Sequence, residues 1–482
     1  MKILMISSEI APYAKVGGLA DVVSSLSKEL AQREHEVKII CPLYGFIATD
    51  SNWQEQKDLL SLKMNDSGQE FCRIWRVNEC ESKAALYFLE NEKYFGENQI
   101  YHTNEANNEK IGQRFVFFSR AAIEFCRHSE WTPDIIHCHD WMTGIVPIYL
   151  KLVEKDERLS EIPTVLTIHN IQHQGIFDRK MLDFAQMPQT PLIIETLGFE
   201  GSINFLKGGI LCSKKLIAVS ERYAYEIVNT KLGYGLDAVL GSRKKDLIGI
   251  LNGIDTTIWN PEIDQYIPKN FKVDDMSGKK ECKKFLQRHF NLEEREDIAI
   301  FAVVARLYWQ KGLDLLLDII PRLMNEEKLQ IVVLGTGESD WEERFKTFAL
   351  EYEGQIGVNI GHNQRLPHLI EAGSDFFLMP SRFEPCGLSQ MYSMVYGSIP
   401  IVHATGGLID TVEPYQSKTM PGTGFMFEEA TSEALYKAIL KACDIFYHNN
   451  NIYRLMQVRG MKKDFSWKKS VEKHENVYLS AQ

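Results

Sequence analysis

Between Met379 and Val412 the chain runs MPSRFEPCGLSQMYSMVYGSIPIVHATGGLIDTV. The run SDFFLMPS, which leads into this stretch, reads as a buried strand. A polar turn with Glu384 and Pro385 follows, and Cys386-Gly387-Leu388-Ser389 opens a helical segment that reaches Tyr396. A second apolar strand, from Ser398 to His403, ends at Thr405-Gly406-Gly407, where another helix starts. Two strand-to-helix turns in succession belong to an open α/β sheet. In such a sheet, ligands bind where strand carboxyl ends meet helix amino ends. The free N–H groups and the helix dipole at that edge suit a phosphate.

The same alternation fills the rest of the chain. Lys2 to Ser7 reads as a strand, Leu19 to Gln32 as an amphipathic helix and Glu36 to Pro42 as a strand, which together make a βαβ unit. Its turn, Lys15-Val16-Gly17-Gly18-Leu19, lets a ligand approach the glycine backbone, and Lys15 adds a point charge suited to phosphate. Taken alone, this turn equally describes a surface lysine before a helix. Residues 44–109 read as less regular, with extended pieces at 71–77 and 84–89. Two further strands end in His137-Cys138-His139-Asp140-Trp141 and in His169-Asn170-Ile171-Gln172-His173. The histidine spacings raise a metal site. The second cluster, however, follows a strand and carries Asn and Gln, which speaks against a helical HxxxH face. Asp140, Asn170 and Asn252 at strand ends fit polar groups lining a cleft and equally fit an Asx turn or helix cap.

After Asn252-Gly253 the periodicity lapses over 256–277, which contains Pro261 and Pro268, and this is the expected domain boundary. The pattern then restarts. A charged helix over 279–290 precedes the strand Ile298 to Ala305, the loop Arg306 to Gly312 and the helix Leu313 to Leu323. Each half is therefore expected to be a doubly wound parallel sheet, with domains at 1–253 and 254–461 and a final helix within 462–482.

A net charge of −11 argues against nucleic acid or an anionic membrane surface as partner. Nine cysteines without a CxxC pair argue against a disulfide framework or zinc ribbon and fit a reducing cytoplasm. The start, MKILMISSEI, is too short for a signal-peptide core, and no apolar stretch reaches the ~18 residues a membrane span needs.

SSEIAPYAKVGGLADV, HCHDWMTG, LTIHNIQHQG, NFLKGGI, GILNGIDTTIWNP, ARLYWQKGLDLL, LGTGE, SRFEPCGLSQMY and ATGGLIDTV occur in that order between Ser7 and Val412. With these motifs the chain closely resembles the bacterial glycogen synthase and plant starch synthase family. Residues 44–110 carry little of the match. The resemblance implies a GT-B fold, in which two Rossmann-like domains face each other across a deep cleft and the C-terminal helix returns to the first. It implies retaining transfer of glucose from ADP-glucose to the non-reducing end of an α-1,4-glucan, with no cofactor and no metal. It assigns Glu384, His169, Lys311 and Arg306 to catalysis. Substrate binding falls to Glu9, Lys15, Gly17, Gly18, Asp140, Asn170, Asn252, Cys386, Gly387, Leu388, Ser389, Thr405, Gly406 and Gly407.

Within that expectation Arg306 and Lys311 stabilise the leaving diphosphate, while Gly406, Gly407 and the helix start at Gly387-Leu388 offer N–H donors. Glu384 could hold sugar hydroxyls, stabilise positive charge or act as nucleophile. Its loop has no second carboxylate, and Tyr392 stands where related enzymes with a Glu-x7-Glu pattern have the second glutamate. That favours a front-face internal return over double displacement. Cys386 has no base nearby in sequence, which disfavours covalent chemistry. UDP-glucose as donor, a pyridoxal-dependent phosphorylase and a non-catalytic glucan-binding protein are the alternatives.

Overall fold

A computed structural model of the chain describes residues 1–64, 68–78, 83–101 and 108–482. These residues divide into two compact units, 1–253 with 467–482, and 254–466.

The first unit contains β1 (Lys2–Ile6), β2 (Glu36–Pro42), β3 (Trp53–Lys63), β4 (Gln69–Val77), β5 (Ala85–Glu90), β6 (Ile135–His139) and β7 (Thr164–Ile168). Further along come β8 (Ile176–Phe177), β9 (Gly198–Phe199), β10 (Ser202–Asn204), β11 (Lys215–Ala218) and β12 (Leu247–Gly249). The main sheet has the order β12-β11-β7-β6-β1-β2-β5-β4-β3. From β12 to β5 every pairing is parallel. At its centre, Ile3, Leu4, Met5 and Ile6 are fully buried, because helices cover both faces of a parallel sheet.

At one edge the expected parallel sheet continues into antiparallel strands. β4 pairs antiparallel with β5, and β3 with β4, so part of the region read as irregular is an ordered extension. β3 carries the sequence WQEQKDLLSLK, whose residues are mostly exposed, so it lacks the continuous apolar run of a parallel core strand. The small antiparallel sheet β8-β10-β9 was likewise not legible. Cys80 lies outside the described residues; the eight described cysteines are free and buried.

The helix Trp467–Ala481 is part of this first unit. Its Glu475 bonds Arg33 and His35 at 2.9 Å each, and Tyr478 Oη lies 2.8 Å from His137 Nδ1 on β6. Gly253 suits the chain's exit here, because a Cβ would press on the Trp467 backbone.

The second unit has a single sheet of β13 (Ala299–Val304), β14 (Leu329–Gly335), β15 (Ile356–Ile360), β16 (Phe376–Met379), β17 (Ile399–His403) and β18 (Phe425–Phe427). Its order is β15-β14-β13-β16-β17-β18, all parallel. The winding reverses between β13 and β16, and the carboxyl ends at such a point are where an open α/β sheet binds ligands. In the first unit it reverses between β1 and β6.

The charged helix of the sequence, Ser277–His289, buries two of its lysines. Lys283 pairs with Asp375 at 2.7 Å, both side chains less than a tenth exposed. Lys279 Nζ donates to the carbonyls of Glu371, Ala372 and Tyr396 at 3.3, 3.0 and 2.9 Å. It thereby satisfies acceptors at the ends of the helices Leu366–Gly373 and Ser389–Val395. Burial lowers the Lys279 pKa to about 8.

Burial also pushes the Glu371 carboxyl well above its usual range, against the attraction of Lys279. Above the unfolded carboxyl pKa of about 4.3, the unfolded chain releases a proton that the folded chain keeps, so stability falls as pH rises. Glu371→Gln copies the shape of the protonated acid. Its stability is expected to match that of the wild type near pH 5 and to exceed it by about 1.4 kcal/mol more per pH unit toward pH 7. Urea unfolding of the second unit at several pH values checks this; a pH-independent difference would count against it.

Candidate active site

β13 and β16 are neighbours in the second unit, so the loops that leave them meet at the switch point. Lys311 on the first loop places Nζ 2.6 Å from Glu384 Oε2 on the second. Ser381 Oγ donates to the same oxygen at 3.0 Å. Glu384 is 7% exposed, so its charge is held by a cation and a hydroxyl at one oxygen, and Oε1 takes neither bond. The sequence did not show this pairing, nor the part of Ser381.

The two loops are bound together along their length. Gly312 has φ +63°, and a Cβ there would overlap the Pro380 carbonyl oxygen. Arg382 makes a two-pronged bond to Asp314 at 2.7 and 2.5 Å and donates to the Trp309 carbonyl at 2.9 Å. Gln310 Nε2 donates to the Phe383 carbonyl at 3.3 Å. Arg306 is exposed; its guanidinium lies 5.6 Å from the Tyr308 ring centroid, and among the described residues it forms no ion pair.

The glycines after β17 act differently from the expectation that they offer N–H donors. Gly407 N–H donates to the carbonyls of Glu384 at 3.0 Å and Pro385 at 3.3 Å. A Cβ at Gly406, where φ is +44°, would overlap the Glu384 carbonyl oxygen, and one at Gly407 would overlap that of Cys386. Their absent side chains let this loop lie against the Glu384 turn. Thr405 is the buried residue before the helix Gly406–Thr411. Gly387 has φ +69°, and Leu388 precedes the helix that starts at Ser389. The Cys386 side chain is 6% exposed, and its carbonyl accepts from Gln390 Nε2 at 3.1 Å. Tyr392 stacks on Trp259 at 3.8 Å between centroids, so this position serves packing.

The first unit gathers its predicted residues beyond β1, β6 and β7. Glu9 is buried; its Oε2 accepts from Val16 N at 2.7 Å and Gly17 N at 3.1 Å, and Oε1 accepts from Tyr101 at 2.8 Å. Burial raises its pKa despite these bonds. Glu9 thus shapes the glycine turn from within. Gly17 precedes the helix Gly18–Gln32. Lys15 is 41% exposed in its side chain and pairs with Asp21 at 2.7 Å; an exposed pair of this kind is weak and readily exchanged.

Asp140 has the left-handed φ of +55°, and its Oδ1 accepts from His169 N at 2.7 Å and Asn170 N at 3.3 Å. Burial raises its pKa to about 7, with the two N–H bonds opposing. His139 Nδ1 lies 3.0 Å from His169 Nε2. Burial lowers the His169 pKa to about 3 and holds His137 and His139 well below the usual range, so all three are neutral. Asn252 is buried just beyond β12. Among the described residues no group of three or more His, Cys, Asp or Glu is arranged to hold a metal ion.

Residues 2–242 match the family model for a starch synthase catalytic domain, and residues 285–452 match that for glycosyl transferases group 1. Glycogen synthase 1 of Geobacter sulfurreducens is 40% identical, with the match covering 100% of this chain and 96% of that protein. Glycogen synthase of Thermotoga maritima is also 40% identical, covering 100% and 99%. Among solved structures, the catalytic domain of starch synthase IV from Arabidopsis thaliana, bound to ADP and acarbose, superimposes with a TM-score of 0.91 at 31% identity, covering 100% of this chain and 99% of that one. Sucrose-phosphate synthase from Thermosynechococcus elongatus, at 16% identity and a TM-score of 0.58 over 99% and 98%, shares the fold.

Gly406→Ala would put a Cβ into the Glu384 carbonyl at a left-handed backbone position. It is expected to cost about 2 kcal/mol or more, seen as a lower urea midpoint for the second unit. An unchanged midpoint would show that the two turns are not in obligatory contact.

Proposed function

The chain belongs to the bacterial glycogen synthase and starch synthase family of glucosyltransferases, and from that premise we propose how its residues move glucose from ADP-glucose to the non-reducing end of an α-1,4-glucan. The observation that carries the reading is the Lys311–Glu384 pair, with Ser381 on the same carboxylate oxygen. Breaking the bond between glucose and diphosphate puts negative charge on the leaving group and positive charge on the sugar. Preorganised opposite charges beside both stabilise that transition state more than the ground state.

Lys311 and Arg306 take the diphosphate. Arg306 is exposed and unpaired among the described ion pairs, so it reorganises little on meeting an anion. Lys311 already stands 2.6 Å from Glu384, which sets the cation for phosphate and the carboxylate for the sugar next to each other. Glu384 Oε1 faces the sugar, where the carboxylate orients hydroxyls and offsets oxocarbenium charge. The leaving phosphate takes the proton of the incoming glucan hydroxyl on the same face, so configuration is retained. The reading calls for no cofactor, because the side-chain cations fill the part of a metal.

In the first unit, Lys15 exchanges its exposed partner Asp21 for a phosphate oxygen. The backbone at Gly17 stays open to close approach, since a Cβ there would meet nothing within 4 Å and the absence of one leaves that space clear; Gly18 follows it at the helix start. His169, Asn170 and Asn252 offer hydrogen bonds to sugar hydroxyls, and Asp140 holds the first two in place through their backbone N–H groups.

The decisive experiment is transfer of radiolabelled glucose onto glycogen, with ADP-glucose and UDP-glucose supplied in parallel. Incorporation from ADP-glucose is expected to dominate; equal or greater incorporation from UDP-glucose would overturn the donor assignment. Glu384→Gln is expected to lower kcat on the order of a hundredfold to a thousandfold while ADP still binds. Near-normal turnover in that variant would remove Glu384 from the mechanism.

A further inference from the structure

His139 is fully buried, and its ring makes one hydrogen bond, from Nδ1 to His169 Nε2 at 3.0 Å. Its other nitrogen, Nε2, is buried and has no hydrogen-bond partner among the described residues. The neighbouring His137 differs, since both of its ring nitrogens lie against hydroxyls, Tyr478 at 2.8 Å and Thr167 at 2.7 Å. Hydroxyls rotate to suit either tautomer. The pair formed by His139 and His169 has no such freedom, because a hydrogen bond between two neutral rings holds one proton.

Two arrangements satisfy that bond. If His169 Nε2 carries the proton, His139 must carry its own on Nε2, leaving a buried N–H with no acceptor. If His139 Nδ1 carries the proton, the orphan is a bare nitrogen lone pair. Buried N–H groups without acceptors are rarer than under-used acceptors in folded proteins. The second arrangement therefore prevails, and it forces the proton of His169 onto Nδ1.

We propose that His139 is a positioning residue, whose Nδ1–H donates to His169 Nε2 and fixes His169 as an Nδ1–H donor to a sugar hydroxyl. The inference rests on the assignment of His169 to the sugar made above. It adds that His169 cannot serve as a proton acceptor at either nitrogen: Nε2 is occupied and Nδ1 already bears hydrogen. His169 then orients the sugar and takes no proton. The left-handed Asp140 supports the arrangement, since its carboxylate holds the His169 backbone and so the ring's distance from His139.

The test is nitrogen-15 NMR of the full chain labelled at histidine, which distinguishes Nδ1–H from Nε2–H rings through their two-bond proton couplings. The His169 signal is identified by its loss in His169→Gln. The expected spectrum at neutral pH shows His169 protonated at Nδ1 and His139 also at Nδ1; an Nε2–H pattern for His169 overturns the proposal. His139→Gln retains an N–H donor and is expected to keep both the tautomer and kcat. His139→Leu is expected to give mixed His169 tautomers and to lower kcat on the order of tenfold. Unchanged kcat and tautomer in His139→Leu would overturn the positioning role. An Nδ1–H pattern for His169 in the wild type, with normal turnover in His169→Leu, which has no N–H donor, would instead remove His169 from the sugar and leave the tautomer assignment standing.

Discussion

A parallel strand buried on both faces takes a polar group into its interior only where neighbours hydrogen-bond it, as His137 on β6 is bonded, and otherwise keeps its polar groups for the ends. β1 and β13 obey that constraint in their two units, with interiors of Ile, Leu, Met, Phe, Ala and Val. Most of the polar candidates follow from it. Lys15, Asp140 and His169 lie at or beyond the carboxyl ends of strands in one sheet, and Arg306, Lys311 and Glu384 in the other. In the second unit the reversal of strand order brings the loops after β13 and β16 together at that edge.

What fixes the chemistry at that edge is close backbone approach. The Glu384 turn has Gly312 beneath Pro380 and Gly406-Gly407 against its own carbonyls, and neither contact tolerates a side chain. Such packing keeps the Glu384 carboxylate beside Lys311 without a long flexible tether. Arg382 and Asp314 clamp the same loops from the outer side. In the first unit a buried carboxylate does the equivalent work, as Glu9 gathers the N–H groups of the glycine turn.

The parts legible in the sequence were those written locally. Apolar runs ending in glycine or a polar turn marked the parallel strands, and Gly253 marked the end of the first unit's main body. The antiparallel edge was illegible because β3, half exposed, has the composition of a loop. Lys279 and Lys283 were illegible because a lysine spaced for a wet helix face looks the same when it reaches buried carbonyls or a buried Asp375. Glu384 was picked out as a candidate from its place after a strand, but its bond to Lys311, 73 residues earlier, depends on sheet order. Gly406 and Gly407 were picked out as N–H donors; what could not be read was the close approach that their missing Cβ atoms allow and the engagement of the Gly407 N–H with the Glu384 turn.

The helix Trp467–Ala481 completes a unit whose other residues all precede position 254. During synthesis, β6 and its His137 leave the ribosome long before Tyr478 exists to bond them. The first unit must therefore wait, with its helix-docking face uncovered, while the whole of the second is translated. Folding on the ribosome thus becomes a closing step that follows the second unit, and a chain broken off before residue 467 leaves the earlier unit, rather than the later one, unfinished.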